Sequence, residues 1–555
     1  MSLKKILIAS IGIMLLSNNA YAAQVPSIYD PIPNAGTVYS GLDQQRKWQP
    51  QERKAEVKID FDEKKVKSEN ICIDVKGIAI EGQTIFEKDV LNNLIKDKLK
   101  TKMTFNELNE IALDIRMFFR RNGYFAAYVY IPKQTVNDGV VVIKVIPGNY
   151  GKVTLLNDTQ MRTSRMEDFM KTIKSGSYIK RADMDRSLLI MNDLPGIKVA
   201  ATLKPSAEEG KADAIFKATT LEKQGGAIIL DNYGSKYTGR KRMGFTYYLN
   251  NPAKMGDQLF LYYMMTNGEL NNYNARYEIP IDGYASTGTI LGVSFNKMDY
   301  ELGDPFDQYD SYGSARTFQI YTKTPLKRML HNNLYLKSSV EIRDLSDKVG
   351  IFNQDTEKSS EVVRLGLEGN YRTNKTASRY SVTQSVGWMH MDSETAKEYD
   401  FYKTEGPFQK TEAFLYHIVN FNKRVNFILN ASAQYAWTNL DSSEKFYIGG
   451  YNGVRAFPQG EAGGDNGLLG SLEARWRVDP DHDIKLATFI DAGRVEYNKD
   501  SSNGDNFRNL SGWGVGLLWN DTKKTSARLD VAFPISGDNE QNSSKIWWFQ
   551  LIQRI

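Results

Sequence analysis

Residues 333–343 read NLYLKSSVEIR, and residues 362–372 read VVRLGLEGNYR. In the first, Leu334, Leu336, Val340 and Ile342 share one parity, and Asn333, Tyr335, Lys337, Glu341 and Arg343 share the other. In the second, Val363, Leu365, Leu367 and Tyr371 stand opposite Arg364, Glu368, Asn370 and Arg372. Successive side chains of a strand point to opposite faces, so a period of two separates charges from large apolar groups. A half-buried antiparallel sheet in water alternates in the same way. Repetition and the N-terminus decide between the two.

From about residue 225 to the end, the unit of strand and turn recurs about sixteen times. The strands are expected at 225–234, 241–250, 257–266, 270–281, 287–299, 314–324, 332–343, 360–372, 378–391, 409–421, 425–438, 467–478, 483–497, 511–519, 526–535 and 545–555. Bacterial outer-membrane barrels have an even number of strands. Links after even-numbered strands are short: Asp282-Gly283, Thr373-Asn374, Asn422-Lys423, Asp479-Pro480 and Asn520-Asp521. Long links follow odd-numbered strands, at 303–313, 344–359, 392–408, 439–466 and 499–510. If both ends lie in the periplasm, every long link faces outside, the usual asymmetry of such barrels. At the N-terminus, Lys4 and Lys5 precede an apolar run over 6–16 and the site Ala20-Tyr21-Ala22. That is the grammar of a secretory signal peptide over 1–22, too short in its apolar core to span a bilayer as a helix. The reading is an outer-membrane β-barrel, residues 223–555.

Composition agrees. Mean hydropathy is −0.47, yet aromatics make up 12% of residues, which suits a polar lumen with aromatic girdles. The formal charge is +5, and loss of Lys4 and Lys5 leaves +3. So slight an excess gives no argument for nucleic acid or another anionic partner, and no nucleic acid is expected. Cys72 is the only cysteine and is expected as a small buried hydrophobe in a strand.

Between signal and barrel the pattern changes. Residues 23–69 hold a Pro-bearing stretch, a polar segment at 35–47 with few apolar residues, and a charged linker at 50–68. Then strand, helix, helix, strand, strand is expected twice, over 70–147 and 148–222. The first module has a strand at 71–80 and a helix at 87–98 with Val90, Leu91, Leu94 and Ile95 on one face. The capping box Thr104-Phe105-Asn106-Glu107 opens its second helix, which carries Leu108, Ile111, Ala112, Ile115, Phe118 and Phe119 inward and stops at Gly123. Strands at 124–131 and 140–146 follow, with Asn137-Asp138-Gly139 as a turn. In the second module strands are expected at 152–156, 197–203 and 212–218, and helices at 164–174 and 182–193. With N-D-L-P-G-I at 192–197 and L-K-P-S-A-E-E-G at 203–210, this pair resembles the POTRA domains of two-partner secretion transporters. The fold class is thus α+β POTRA domains followed by an all-β, 16-stranded antiparallel transmembrane barrel.

The link 439–466 contains Gly449-Gly450-Tyr451-Asn452-Gly453-Val454-Arg455-Ala456-Phe457, and further on stands Phe489-Ile490-Asp491-Ala492-Gly493. These resemble the paired signature of the POTRA-barrel superfamily, a V-R-G-[YF] loop tip folded into the lumen and an F-x-D-x-G strand on the wall. The resemblance implies that Arg455 pairs with Asp491 inside the barrel, with Gly449, Gly450, Val454 and Phe457 shaping the tip and Phe489 and Gly493 the wall. Parity independently puts Asp491 on the same face as Lys485, Ala487 and Phe489. A buried carboxylate needs a partner, and a guanidinium binds it bidentately. Ala456 stands where the motif has Gly; if that position needs φ > 0, strain of about 1–2 kcal/mol is expected.

Gly512, Gly514 and Gly516 alternate with Trp513, Val515 and Leu517, so they belong to a strand rather than to a nucleotide-binding loop. His331, His390, His417 and His482 lie apart without metal-ligand spacing, and no nucleophile motif is visible. Neither enzyme, metal nor cofactor is expected. The final strand, 547–555, resembles the assembly signal of outer-membrane proteins, with Ile555 in place of the usual Phe.

The resemblance implies an N-terminal plug in the pore, POTRA domains in the periplasm, and export of one large exoprotein. That exoprotein would bind at sheet-edge strands 124–131 and 197–203. Outer-membrane lipid, lipopolysaccharide and the barrel assembly machinery are the other partners it implies. Two alternatives stay open: a barrel insertase of the same superfamily, and a passive porin or adhesive barrel, which leaves 70–220 without a task.

Overall fold

A computed structural model describes residues 33–45, 56–59, 72–281, 287–501, 506–521, 524–537 and 544–555. The expected signal peptide lies outside the described residues, as does most of the 50–68 linker. Sixteen antiparallel strands, from Gln224–Asp231 to Ile546–Arg554, form a closed barrel. The last strand closes on the first over only five residues, Ala227–Asp231 against Gln550–Arg554. Each expected barrel strand is present, with ends within about six residues of those expected.

Side-chain burial in the barrel is inverted relative to a protein in water. Val340 and Ile342 are 53% and 48% exposed on the outside, whereas Glu341 and Arg343 between them are 6% and 2% exposed in the lumen. Only a surrounding of lipid makes that arrangement favourable. Among the described residues no helix is long and apolar enough to cross a membrane; the strands do so.

The expected link 344–359 is mostly strand. Asn332–Val349 and Gln354–Arg372 continue as a hairpin, with a 3-10 turn at Gly350–Phe352 between them. About ten residues suffice to span the bilayer, so the tips project beyond it. Backbone pairing and cross-strand ion pairs such as Lys348–Asp355, 3.1 Å, hold such a tip without an apolar face.

Before the barrel come helix α1 (Ala35–Gln45) and strand β1 (Glu56–Ile59). The first module contains β2 (Cys72–Asp74), β3 (Gly77–Glu81), α2 (Lys88–Ile95), β4 (Lys102–Thr104), α3 (Phe105–Arg121), β5 (Tyr128–Tyr130) and β6 (Val140–Ile146). Its main sheet runs β3-β6-β5. The expected strand at 71–80 is split: β2 pairs with β4, and the bend at Lys76 and Gly77 turns both amides onto the Gly139 carbonyl. Cys72 is exposed, not buried, because this short two-stranded ribbon lies at the surface. In α2 only Leu91 and Ile95 reach the core; Val90 and Leu94 face outward.

The capping box forms, with Glu107 N donating to Thr104 Oγ1 at 3.2 Å and Thr104 N donating to Glu107 Oε2 at 2.8 Å. The hydrogen bond from Lys100, then those from Thr104, holds the Glu107 carboxyl at about 2. Thr104→Ala is expected to destabilise the start of α3 by about 1 kcal/mol. Hydrogen exchange of its first-turn amides should rise about fivefold in the full chain. At the other end Gly123 adopts φ +93°, and Tyr124 N and Gly123 N return to the carbonyls of Phe119 and Arg120. This Schellman closure takes up the residues after α3, so the expected strand at 124–131 is only β5.

The second module contains β7 (Asn149–Asp158), α4 (Thr163–Asp168), α5 (Arg181–Asp193), β8 (Ile197–Pro205) and β9 (Lys211–Thr220). The helix expected at 164–174 stops at Asp168, and turns carry Phe169, Met170 and Ile173 into the same core. Its sheet runs β1-β8-β9-β7. The expected open edge at 197–203 is therefore covered: β1 pairs with it in parallel, Glu56 opposite Ala200 through to Ile59 opposite Leu203. Charge marked that segment as linker, but an edge strand offers free amides and carbonyls to any extended segment. Asp193, at the end of α5, accepts two hydrogen bonds from Arg328 at 2.7 and 2.8 Å, tying the module to a periplasmic turn of the barrel.

Candidate functional site

The link 439–466 folds back into the lumen instead of lying over the surface. A two-residue ladder, Phe446–Tyr447 with Gly463–Gly464, closes its neck. Ile448, Val454, Ala456 and Phe457 then pack with Phe489, Val495 and Leu510 of the wall into one apolar cluster. Glycines make the tip possible. A Cβ on Gly449 would sit 2.5 Å from the Pro458 carbonyl oxygen, and Gly450 adopts φ +101°. Gly493 leaves room on the wall for Ile448, whose Cβ lies 3.0 Å from where its own Cβ would be.

Arg455 is thereby carried to the wall. Its Nε and Nη2 donate to the two carboxylate oxygens of Asp491, each at 2.8 Å, and its backbone amide adds a third bond at 3.2 Å. Nη1 lies 2.8 Å from Glu473 Oε2 and 3.4 Å from Asp530 Oδ2. The guanidinium carbon stands 3.3 Å from the Phe489 ring centre. Arg475 and Arg528 bind the same Glu473, and Arg528 also binds Asp530. Three cations and three anions thus interlock, with Arg455 and the three carboxylates buried and Arg475 and Arg528 half-buried, so that each depends on the others.

The structure brings together all eight predicted site residues, on the tip or on the wall facing it. Sequence reasoning missed Glu473, Arg475, Arg528 and Asp530 as partners. Leu529, Val531 and Phe533 alternate with Arg528 and Asp530, which sets the two charges on the face opposite the apolar residues, but nothing in a strand's period says which loop will meet it. Ala456 is not at positive φ, so the expected strain is absent. Its Cβ fits because Gly512 carries none, and a side chain there would come within 2.4 Å of it.

The tip also touches the closing seam. Trp548 Nε1 donates to the Arg455 carbonyl at 2.6 Å, and Tyr451 stacks on Tyr233 at 3.8 Å between ring centres. Tyr233 follows the first strand and Trp548 lies in the last. Helix α1 lies against the base of the same loop. Ala35 N donates to Asp347 Oδ1 at 2.7 Å, Ser40 Oγ donates to the Ser443 carbonyl at 2.7 Å, and the Tyr39 ring centre is 4.4 Å from the Arg343 guanidinium carbon.

A closed sixteen-stranded barrel, two small α+β modules before it and an arginine-tipped loop in its lumen define an outer-membrane transporter of the POTRA-barrel class. Residues 212–518 match the family described as haemolysin secretion/activation protein ShlB/FhaC/HecB, and residues 73–148 match the ShlB-type POTRA domain. The chain belongs to this family, the outer-membrane transporters of two-partner secretion. It is 27% identical over 482 residues to the heme/hemopexin transporter protein HuxB of Haemophilus influenzae, covering 84% of each chain. It is 21% identical over 492 residues to the outer membrane transporter CdiB of Dickeya dadantii, covering 84% of this chain and 83% of that one. The fold matches that of CdiB from Escherichia coli with a TM-score of 0.71 at 17% identity, over 89% of this chain and 93% of that chain. The barrel lies in the outer membrane with the POTRA modules in the periplasm, and the chain exports an exoprotein.

Proposed function

We propose that this transporter captures one large exoprotein at the edge strands of its POTRA modules and passes it unfolded through the lumen without ATP. The observation that carries the reading is what fills the pore. Helix α1 and the link 439–466 occupy the lumen; the link is a loop between two barrel strands and α1 is no part of the barrel sheet, so both can withdraw without breaking the wall. The wall they would uncover is polar and charged, and offers an extended chain little apolar surface to adhere to. Arg455 with Asp491, Glu473 and Asp530 acts as the latch that holds the loop, and it is a structural contact, not a catalyst.

Capture has two edges. β5 pairs only with β6 and can accept a strand directly, with Pro132 limiting the pairing. On β8 a client strand must displace β1. Outer-membrane lipid and lipopolysaccharide meet the apolar outer face, and the barrel assembly machinery takes up the final strand during biogenesis. The resemblance to HuxB makes an exoprotein that handles haem or hemopexin the first client to assay, ahead of a haemolysin, an adhesin or a contact-dependent inhibition toxin.

The test is reconstitution. Purified chain in liposomes, given an unfolded fragment of the exoprotein encoded beside it and no nucleotide, should move the fragment to a protease-protected position. The same fragment locked by an internal disulfide should stay outside. Transport of the locked fragment, or a requirement for nucleotide, sinks this reading.

A further inference from the structure

At the base of the lumenal loop lies a second charge cluster, on a different arc of the wall. Glu444, 2% exposed, is held by three cations from three strands. Arg343 Nη1 stands 2.9 Å from its carboxylate, Lys410 Nζ 2.8 Å and Arg364 Nη2 3.4 Å. The wall itself contributes two further carboxylates: Glu341, which pairs with Arg343 and Arg364, and the more exposed Glu412, 3.7 Å from Lys410. Among the described residues Arg343 Nε is buried without a hydrogen-bond partner, so the cradle has donating capacity that Glu444 leaves unused. Tyr39 of α1 covers Arg343.

Three wall cations are therefore balanced by Glu341, by Glu412 and by a carboxylate that belongs to a removable loop, whose withdrawal leaves the arc one positive charge in excess. Buried cations do not tolerate loss of their counter-charge, and guanidinium and ammonium groups converging on one point bind carboxylate by charge-assisted hydrogen bonds. We propose that Arg343, Arg364 and Lys410 form a carboxylate-binding site for the exoprotein in transit, which Glu444 occupies as an internal stand-in while the pore is closed. This rests on the export reading above. Acidic side chains of the extended client take the place of Glu444 when the loop and α1 withdraw. The arc around Arg455 complements it, because loss of that arginine leaves Glu473, Asp491 and Asp530 facing only Arg475 and Arg528. An opened lumen then has walls of opposite sign, each holding the passing chain weakly at separate points, as conduction requires.

The test uses the full purified chain in detergent and two fluorescent probes, deca-glutamate and deca-glutamine, with binding read by anisotropy. Glu444→Gln removes the stand-in charge while keeping its shape. It is expected to bind deca-glutamate about tenfold more tightly than the parent chain, the size of one charge-assisted contact. Deca-glutamine should bind both alike. Adding Arg364→Gln and Lys410→Gln to Glu444→Gln leaves no new unpaired buried charge, and a heat-modifiable gel shift verifies the barrel. In that triple variant the gain for deca-glutamate should vanish. Equal binding of the two probes by Glu444→Gln, or a gain that survives in the triple variant, overturns the cradle. Exoprotein release separates this from failure of the export reading. Release unchanged in the triple variant overturns the cradle alone, whereas release unchanged on deletion of the whole chain overturns both.

Discussion

Asp491→Arg is expected to stop release of the exoprotein while the barrel still assembles, and adding Arg455→Asp is expected not to restore it. As an isolated pair, Arg455 and Asp491 would exchange charges with little loss. The geometry argues otherwise. Arg455 also meets Glu473 and Asp530, so an aspartate at 455 would face two buried carboxylates. An arginine at 491 would join Arg475 and Arg528. Removing one member of a buried ion network costs about 3–5 kcal/mol, and reversing it costs more. That exceeds what the apolar contacts of one short tip can offset, so the loop cannot seat on the wall, and the closed, client-ready state from which each round of export starts is lost. Release should fall more than tenfold in both single reversals and in the exchange, with about 1.4 kcal/mol already enough for a factor of ten. Arg455→Lys keeps the charge but loses the fork that binds both Asp491 oxygens, and should retain partial release. Heat-modifiable gel shift checks assembly, and immunoblot of culture medium reads release. Full restoration by the exchange would mean that Glu473 and Asp530 do not contribute, and unchanged release throughout would leave Arg455 without a role in export.

The barrel was legible in the sequence because its physics is local. One face of each strand meets lipid and the other the lumen, so a period of two is written along 333–343 and 362–372 regardless of what their neighbours do. The capping box at Thr104 and Glu107 was legible for the same reason, since both partners lie within one turn. What escaped depends on distance. Glu473 and Asp530 look like any lumen-facing charges until the loop lays Arg455 between them. Val90 and Leu94 share a helical face with Leu91 and Ile95 but lie outside the narrow strip that α3 covers. Glu56–Ile59 has the charge of a linker, and its pairing with β8 follows from an edge more than 130 residues away.

That pairing carries the second large effect. β1 joins β8 through four residues in parallel register, and parallel pairing is slightly the weaker kind. With about 0.5–1.5 kcal/mol net for each hydrogen bond, so short a strand is held by only a few kcal/mol. β8 itself has nine residues, Ile197–Pro205, so a client strand that runs its whole length makes more bonds than β1 and wins by length alone. Tethering β1 removes that competition. Lys58 stands opposite Thr202, and paired Cα atoms on adjacent strands lie within the roughly 4.4–6.8 Å a disulfide bridges. Lys58→Cys with Thr202→Cys, in a Cys72→Ser background, should oxidise in the periplasm. Client capture on that edge and release into the medium should then fall at least tenfold, and both should return on mild reduction. Lys58→Cys alone should behave as the parent chain. If the cross-linked protein exports at the full rate, the β8 edge is not where the client enters, and capture passes to β5, which among the described residues pairs only with β6.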